Sequence, residues 1–239
     1  MIGLDGVLDR LLHRRSYREA FLAGRFEALD LEDEDREALA GIDREALVRE
    51  AESVREDLLH RRHRGSGGLL ALYPRTLAAW VAAHPEDDGL VELLSRFMES
   101  EAFGGYREVP FAGQGRCLEE AFYRFCEEEE IGAPQEREEE LLGAMARALL
   151  LSPDPDFTLP AEIRTSSGGF FAVARRGPEP RLFAAVSGRL LTGPLTPFLA
   201  DLLLSDDPPA EIAARHGVAP DIRDASLAQL RSLGLLARP

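Results

Sequence analysis

His60 and His63 stand three residues apart, which would put both imidazoles on one face of a helix, a spacing that two-histidine metal ligation uses. The run is His60-Arg61-Arg62-His63-Arg64, and its cations disfavour a divalent metal, so the pair reads as a solvated helix end. Arg61, Arg62 and Arg64 lead into Gly65-Ser66-Gly67-Gly68, where backbone amides beside guanidiniums could hold an anion. The chain has no phosphate-loop lysine and no strand pattern before those glycines, which favours a helix C-cap and loop. Cys117 and Cys126 lie near Phe122 and Phe125, too far apart for a CxxC motif, and read as reduced thiols in the core. The carboxylates of Glu127 to Glu130 and of Glu136-Arg137-Glu138-Glu139-Glu140 read as solvated faces, with no calcium-loop spacing and no apolar setting to split their pKa values. Neither Ser166 nor Ser187 sits in a G-x-S-x-G elbow. The reading is of a non-enzyme, with no catalytic residue, no metal ligand set and no cofactor.

The chain that must position any site has 239 residues, a net charge of −15 and no lysine, all 28 basic residues being arginine. Such acidity argues against a nucleic-acid partner, because affinity for phosphates comes from a basic surface that releases counterions. The charge is uneven: residues 1–156 carry 35 acids against 19 arginines, whereas residues 157–239 carry 8 against 9. No apolar run reaches the roughly 18 residues of a membrane span, and the N-terminus lacks the apolar stretch of a signal peptide, so a cytoplasmic protein is expected.

The charge step coincides with a change of pattern at Ser152-Pro153-Asp154-Pro155-Asp156, where two prolines deny helical continuation. Before it the spacing predicts helices: one from an Asp43 N-cap to about His63, with Leu47, Ala51, Val54 and Leu58 as its buried stripe, and others at Thr76–His84, Asp88–Ala102, Leu118–Glu130 and Glu136–Leu151. Ser16 and Glu19 have capping-box spacing. In Phe103-Gly104-Gly105-Tyr106-Arg107-Glu108-Val109-Pro110-Phe111-Ala112-Gly113, glycines and a proline argue for a loop, while the aromatics argue for burial or contact with a partner.

After the prolines, Phe170–Arg176 and Arg181–Ser187 read as a hairpin around Gly177-Pro178-Glu179-Pro180, followed by a third short strand, Arg189-Leu190-Leu191-Thr192. Helices are expected at Thr196–Leu204, Pro208–His216 and Asp221–Leu233, the last two with helix-turn-helix spacing. The expected fold is mainly α: a helical domain (1–151), a linker (152–169) and a small α+β domain (170–239) of order β-β-β-α-α-α.

These residues carry a resemblance. Arg189-Leu190-Leu191, the apolar helix Pro197 to Leu204, Glu211 to Val218 and the ending Leu227 to Leu236 resemble the winged helix-turn-helix recognition domains of ribosomal peptide biosynthesis. Gly68 to Trp80, the helix ending in Phe97 and the Phe103 to Tyr106 segment resemble the partner proteins of multinuclear non-haem iron-dependent oxidative enzymes, and a helical family of DNA-binding domains that accompanies the same enzymes. The resemblance implies a non-catalytic protein that captures the leader of a precursor peptide and forms a heterodimer with an iron-dependent TIM-barrel enzyme. It implies a peptide site on Arg189, Leu190, Leu191 and Thr192, joined by Arg223, Leu227 and Arg231 at i, i+4 and i+8 of the last helix, and a docking site on Phe103, Tyr106, Arg107, Val109 and Phe111. The alternatives are a winged-helix transcription regulator, disfavoured by the acidic start Asp221-Ile222-Arg223-Asp224, and a structural adaptor that binds no peptide.

Overall fold

A computed structural model describes residues 4–29, 31, 33–60, 68–85, 88–107, 117–151 and 157–236. The described residues form a mainly helical chain with a small antiparallel sheet and C-terminal helices. No helix among them is long and apolar enough to cross a membrane.

Helices α1 (Leu4–His13), α2 (Arg15–Leu22), α3 (Asp33–Leu39) and α4 (Arg44–His60) enclose a cluster of Val7, Leu11, Phe21, Leu39 and Leu47. The Asp43 carboxylate accepts from the amides of Glu45 and Ala46, the expected cap of α4. The capping box of Ser16 and Glu19 does not form. The Ser16 amide is taken by Glu99 from a distant helix (2.7 Å), and Glu19 pairs with Arg15 instead. A tertiary carboxylate has replaced the local cap.

The main core lies among α5 (Leu69–Leu72), α6 (Pro74–Ala83), α7 (Gly89–Glu99), α8 (Glu101–Arg107), α9 (Leu118–Glu128) and α10 (Pro134–Leu151). Tyr73, Phe97, Phe122 and Phe125 are among its largest fully buried side chains, in edge and tilted contacts, and the Tyr73 hydroxyl donates to the Glu119 carbonyl. Helix α8 corrects the expected loop over Phe103 to Arg107, the rest of that stretch lying outside the described residues. Ser100 Oγ accepts from the Phe103 amide as an N-cap, and two glycines at about 1 kcal/mol each are offset by burying Ala102 and Phe103 against Phe97.

Four strands follow: β1 (Arg164–Ser166), β2 (Gly169–Ala174), β3 (Arg181–Val186) and β4 (Arg189–Pro194), in spatial order β1-β2-β3-β4 and all antiparallel. The expected three strands are therefore corrected to four, and β1 falls inside the expected linker. Of that linker, 152–156 lie outside the described residues, while Phe157 is buried in the main core with Leu159 and Ile163 packed against it. Helices α11 (Pro197–Leu204), α12 (Pro209–Arg215) and α13 (Pro220–Ser232) complete the order. Thr196 caps α11 by accepting from the Leu199 amide.

The sheet is covered on both faces. Ala172, Ala174 and Phe183 pack on Leu142 and Ala146 of α10, whereas Phe171, Val173, Leu182, Ala184 and Val186 pack on the C-terminal helices through Phe198, Leu202, Ile212 and Leu230. This explains why β3 reads as a continuous apolar run instead of an alternating one.

The acidic runs, expected as solvated faces, hold the two parts together. Glu138 accepts from the amides of Arg175 and Arg176 at the end of β2, Glu127 pairs with Arg176 (2.8 Å), and Glu139 lies 3.9 Å from Arg181. The buried Glu140 accepts from the Thr76 hydroxyl and the amides of Arg75 and Thr76, capping α6. Burial pushes the Glu127 carboxyl up, but its bonds from Arg176 and its neighbour Arg124 outweigh this and hold it below the ordinary carboxylate value. A depressed folded-state pKa contributes stability above about pH 4.5, the ordinary value, and loses it as pH falls through the folded value. Glu127 is about one-third exposed, so Glu127→Gln should cost only ~0.5–1 kcal/mol at pH 7 and leave the variant less sensitive to acid below pH ~4.5, as read by urea unfolding at several pH values. Equal acid sensitivity would show that the clamp carries no such stability.

Candidate functional site

The β3–β4 connection is two residues long, with Ser187 at φ 51° and Gly188 at φ 71°, both left-handed. That is a type I′ turn, whose twist matches the strands and whose flanking pair, Val186 and Arg189, exchanges both backbone bonds. The alternation then fixes the rest of β4. Arg189, Leu191 and Gly193 direct their backbone groups to β3, and Leu190, Thr192 and Pro194 direct theirs away from the sheet. Pro194 has no N–H, as suits an edge, so the outward donors are the amides of Leu190 and Thr192. Arg189, Leu190, Thr192 and Pro194 are all exposed, and among the described residues β4 has β3 as its one strand neighbour.

The opposite edge is poorer. β1 spans three residues opposite Gly169, Phe170 and Phe171, and its own two-residue turn leaves outward-facing backbone groups at Thr165 alone. An extended chain gains more by adding to β4.

Side chains shape the two sides of this edge. Cross-strand partners share a face, so Leu191 lies on the side of Ala184 and the C-terminal helices, and Thr192 on the side of Phe183 and α10. A groove of about 340 Å³ runs along β4, lined by Leu182, Leu190, Leu191, Thr192, Leu195 and, from beyond the end of α13, Leu233. Two glycines set the end of α13 there. Gly234, at φ 78°, accepts through its carbonyl from the Gly168 amide, and the Gly168 carbonyl accepts from Ser187, tying α13 to both hairpin turns. A Cβ on Gly168 would come within 3.0 Å of Gly234.

The expected peptide residues fall unequally on this geometry. Arg189, Leu190, Leu191 and Thr192 lie together on the edge strand β4. Leu227 packs against the C-terminal core, Arg223 is engaged by its neighbour Asp224, and Arg231 is half-buried with its Nε buried and unpartnered among the described residues. Leu233, just past the end of α13 and not singled out by spacing, meets the edge, and Gly234 ties that end to the hairpin turns. The expected docking set is corrected at Phe103, which is 3% exposed and packed edge-on against Phe97. Tyr106 packs half-buried against the same core, and Arg107 ends α8. Val109 and Phe111 lie outside the described residues, as does His63.

No family model, curated protein or solved structure matches this chain. The geometry therefore has to speak for itself. Cys117 and Cys126 are free and fully buried, and burial raises both thiols above the ordinary thiol value, which removes them as nucleophiles at neutral pH. The half-buried His216 accompanies Asp201 at 2.8 Å and lines a second, largely apolar cavity of about 410 Å³ with Phe198, Leu199, Val218 and Ile222. On the helical part, Leu70, Leu77, Val81 and Leu90 line an apolar groove of about 460 Å³ in which Val81 is 43% exposed.

Proposed function

We propose that this protein is a non-catalytic partner in ribosomal peptide biosynthesis, which captures the leader of a precursor peptide as an added strand on β4 and presents the peptide to an iron-dependent oxidative TIM-barrel enzyme. The observation that carries the reading is the open edge of β4, whose outward amides at Leu190 and Thr192 border a groove flanked by Leu182, Leu191 and Leu233. Strand addition draws affinity from main-chain hydrogen bonds and selectivity from side-chain pockets, and the outward amides of β4 with the groove beside them support this reading. The C-terminal part, a β-meander followed by α11, α12, a turn at Gly217 and α13, is read as a winged helix-turn-helix used for peptide instead of DNA. The regulator reading is disfavoured because α13 begins with exposed Asp221 and Asp224, carboxylates at the end that would approach phosphates.

Thr192→Pro tests the reading. Proline at this position removes an outward N–H while leaving the bonds to β3 in place. Calorimetry with a precursor leader peptide that binds the native protein should show affinity reduced by ~1 kcal/mol or more, the net worth of one such bond. Unchanged affinity in a folded variant would mean that the peptide does not add to β4. Failure of any leader to bind the native protein would favour the structural adaptor.

A further inference from the structure

Arg147 differs from the other arginine of α10 and from the arginines around the β2–β3 turn. Arg137 donates to carbonyls at Ile131 and Gly132, and Arg175, Arg176 and Arg181 all face carboxylates. Arg147 is half-buried and makes no hydrogen bond or ion pair among the described residues. Its place follows from the helix. Glu138 meets Arg175 and Arg176 at the end of β2, and Glu139, the next residue, faces Arg181 at the start of β3, so a step of about 100° along α10 moves its surface across the sheet in the direction of β4. Leu142 and Ala146 pack on β2 and β3, so the residues that follow them, Gly143 and Arg147, lie on the flank toward β4. A Cβ on Gly143 would sit 3.5 Å from the Phe183 ring and 3.7 Å from Arg147 Nη1, so guanidinium and ring share that space, and Phe183 is the cross-strand partner of Thr192.

From this placement we infer that Arg147 is a specificity-determining residue of the β4 edge, which receives a carboxylate side chain of the bound peptide at the position opposite Thr192. The inference rests on the strand-addition reading and deepens it by naming the class of peptide. A residue added opposite Thr192 turns its side chain to the α10 face, where Arg147 waits; its neighbours on either side turn to Leu191 and Leu233. The matching peptide is an extended segment of apolar, acidic, apolar order. The net charge of −15 does not oppose this, because a contact pair acts well inside the roughly 8 Å screening length at physiological salt, beyond which charges are largely screened from one another. A charge-assisted bond to a half-buried guanidinium exceeds a neutral one, and the fork geometry of arginine suits a carboxylate.

Fluorescence anisotropy with two labelled synthetic peptides tests this, the two being identical β-forming sequences with either glutamate or glutamine between two leucines. The native protein should prefer the glutamate peptide by about tenfold. Arg147→Gln should abolish the preference, and Arg147→Glu should transfer it to a third peptide carrying lysine, an exchange that loss of packing cannot produce. Equal binding of the glutamate and glutamine peptides to the native protein, both lost in Thr192→Pro, would overturn the role of Arg147 and leave strand addition standing. Binding of neither peptide to the native protein would overturn both. The comparison on the native protein decides even where an Arg147 variant does not fold.

Discussion

Gly169→Ala is expected to destabilise the protein by about 3 kcal/mol, the sum of ~1–3 for a strained backbone and ~1–3 for overpacking. Gly169 begins β2 at φ 147°, a conformation that L side chains rarely adopt, and a Cβ there would lie 2.2 Å from the Ala185 carbonyl oxygen. That oxygen cannot withdraw cheaply, since Ala185 sits in the middle of β3, opposite Phe170 on one side and Leu190 on the other. The damage should reach the candidate site, because the displaced strand carries the turn to which α13 is fastened through Gly168 and Gly234. Gly188→Ala is the control: its φ is 71° but nothing lies within 4 Å of a Cβ, so strain alone should cost ~1 kcal/mol. Urea unfolding of both variants checks this. Equal costs would show that the contact with Ala185 relaxes.

The change from helix to sheet was legible because prolines and charge mark it, and the Asp43 cap was legible because capping is local. What escaped depended on groups distant in sequence. Ser16 and Glu19 have the spacing of a capping box, yet Glu99 reaches the same amide from 83 residues away. Arg164-Thr165-Ser166 has no apolar alternation and pairs only because Gly169, Phe170 and Phe171 lie beside it. The helix through Gly104 and Gly105 was hidden by weak propensity, though Ser100 three residues before Phe103 is the cap that could have announced it. For the site, the strand Arg189 to Thr192 was visible in composition, but its exposed edge follows from the order of four strands. Arg147 had one signal, a charge interrupting the apolar run of Gly143 to Leu151, and no spacing rule connects it to Thr192.

On the proposed reading, removing this protein should lower the kcat/KM of the iron-dependent enzyme on full-length precursor by about a hundredfold or more, the usual scale of tethering. The sheet that would hold the leader is fastened to the helical part by α10 and by Glu127, Glu138 and Glu139, so a peptide on β4 is fixed relative to whatever surface docks the enzyme. A fixed anchor raises the effective concentration of the downstream segment more than a loosely jointed one of equal reach. A precursor with its leader removed should therefore be a poor substrate with or without this protein, and adding free leader should inhibit by competition for β4. A stable heterodimer should bury about 1,200 Å² or more in total and elute as one species on size-exclusion chromatography. The paired measurement is turnover of the precursor by the enzyme alone, with the native protein, and with Thr192→Pro. Native activity with Thr192→Pro would place capture away from β4. Equal turnover in all three, with no complex eluting, would reduce this chain to an adaptor for another partner.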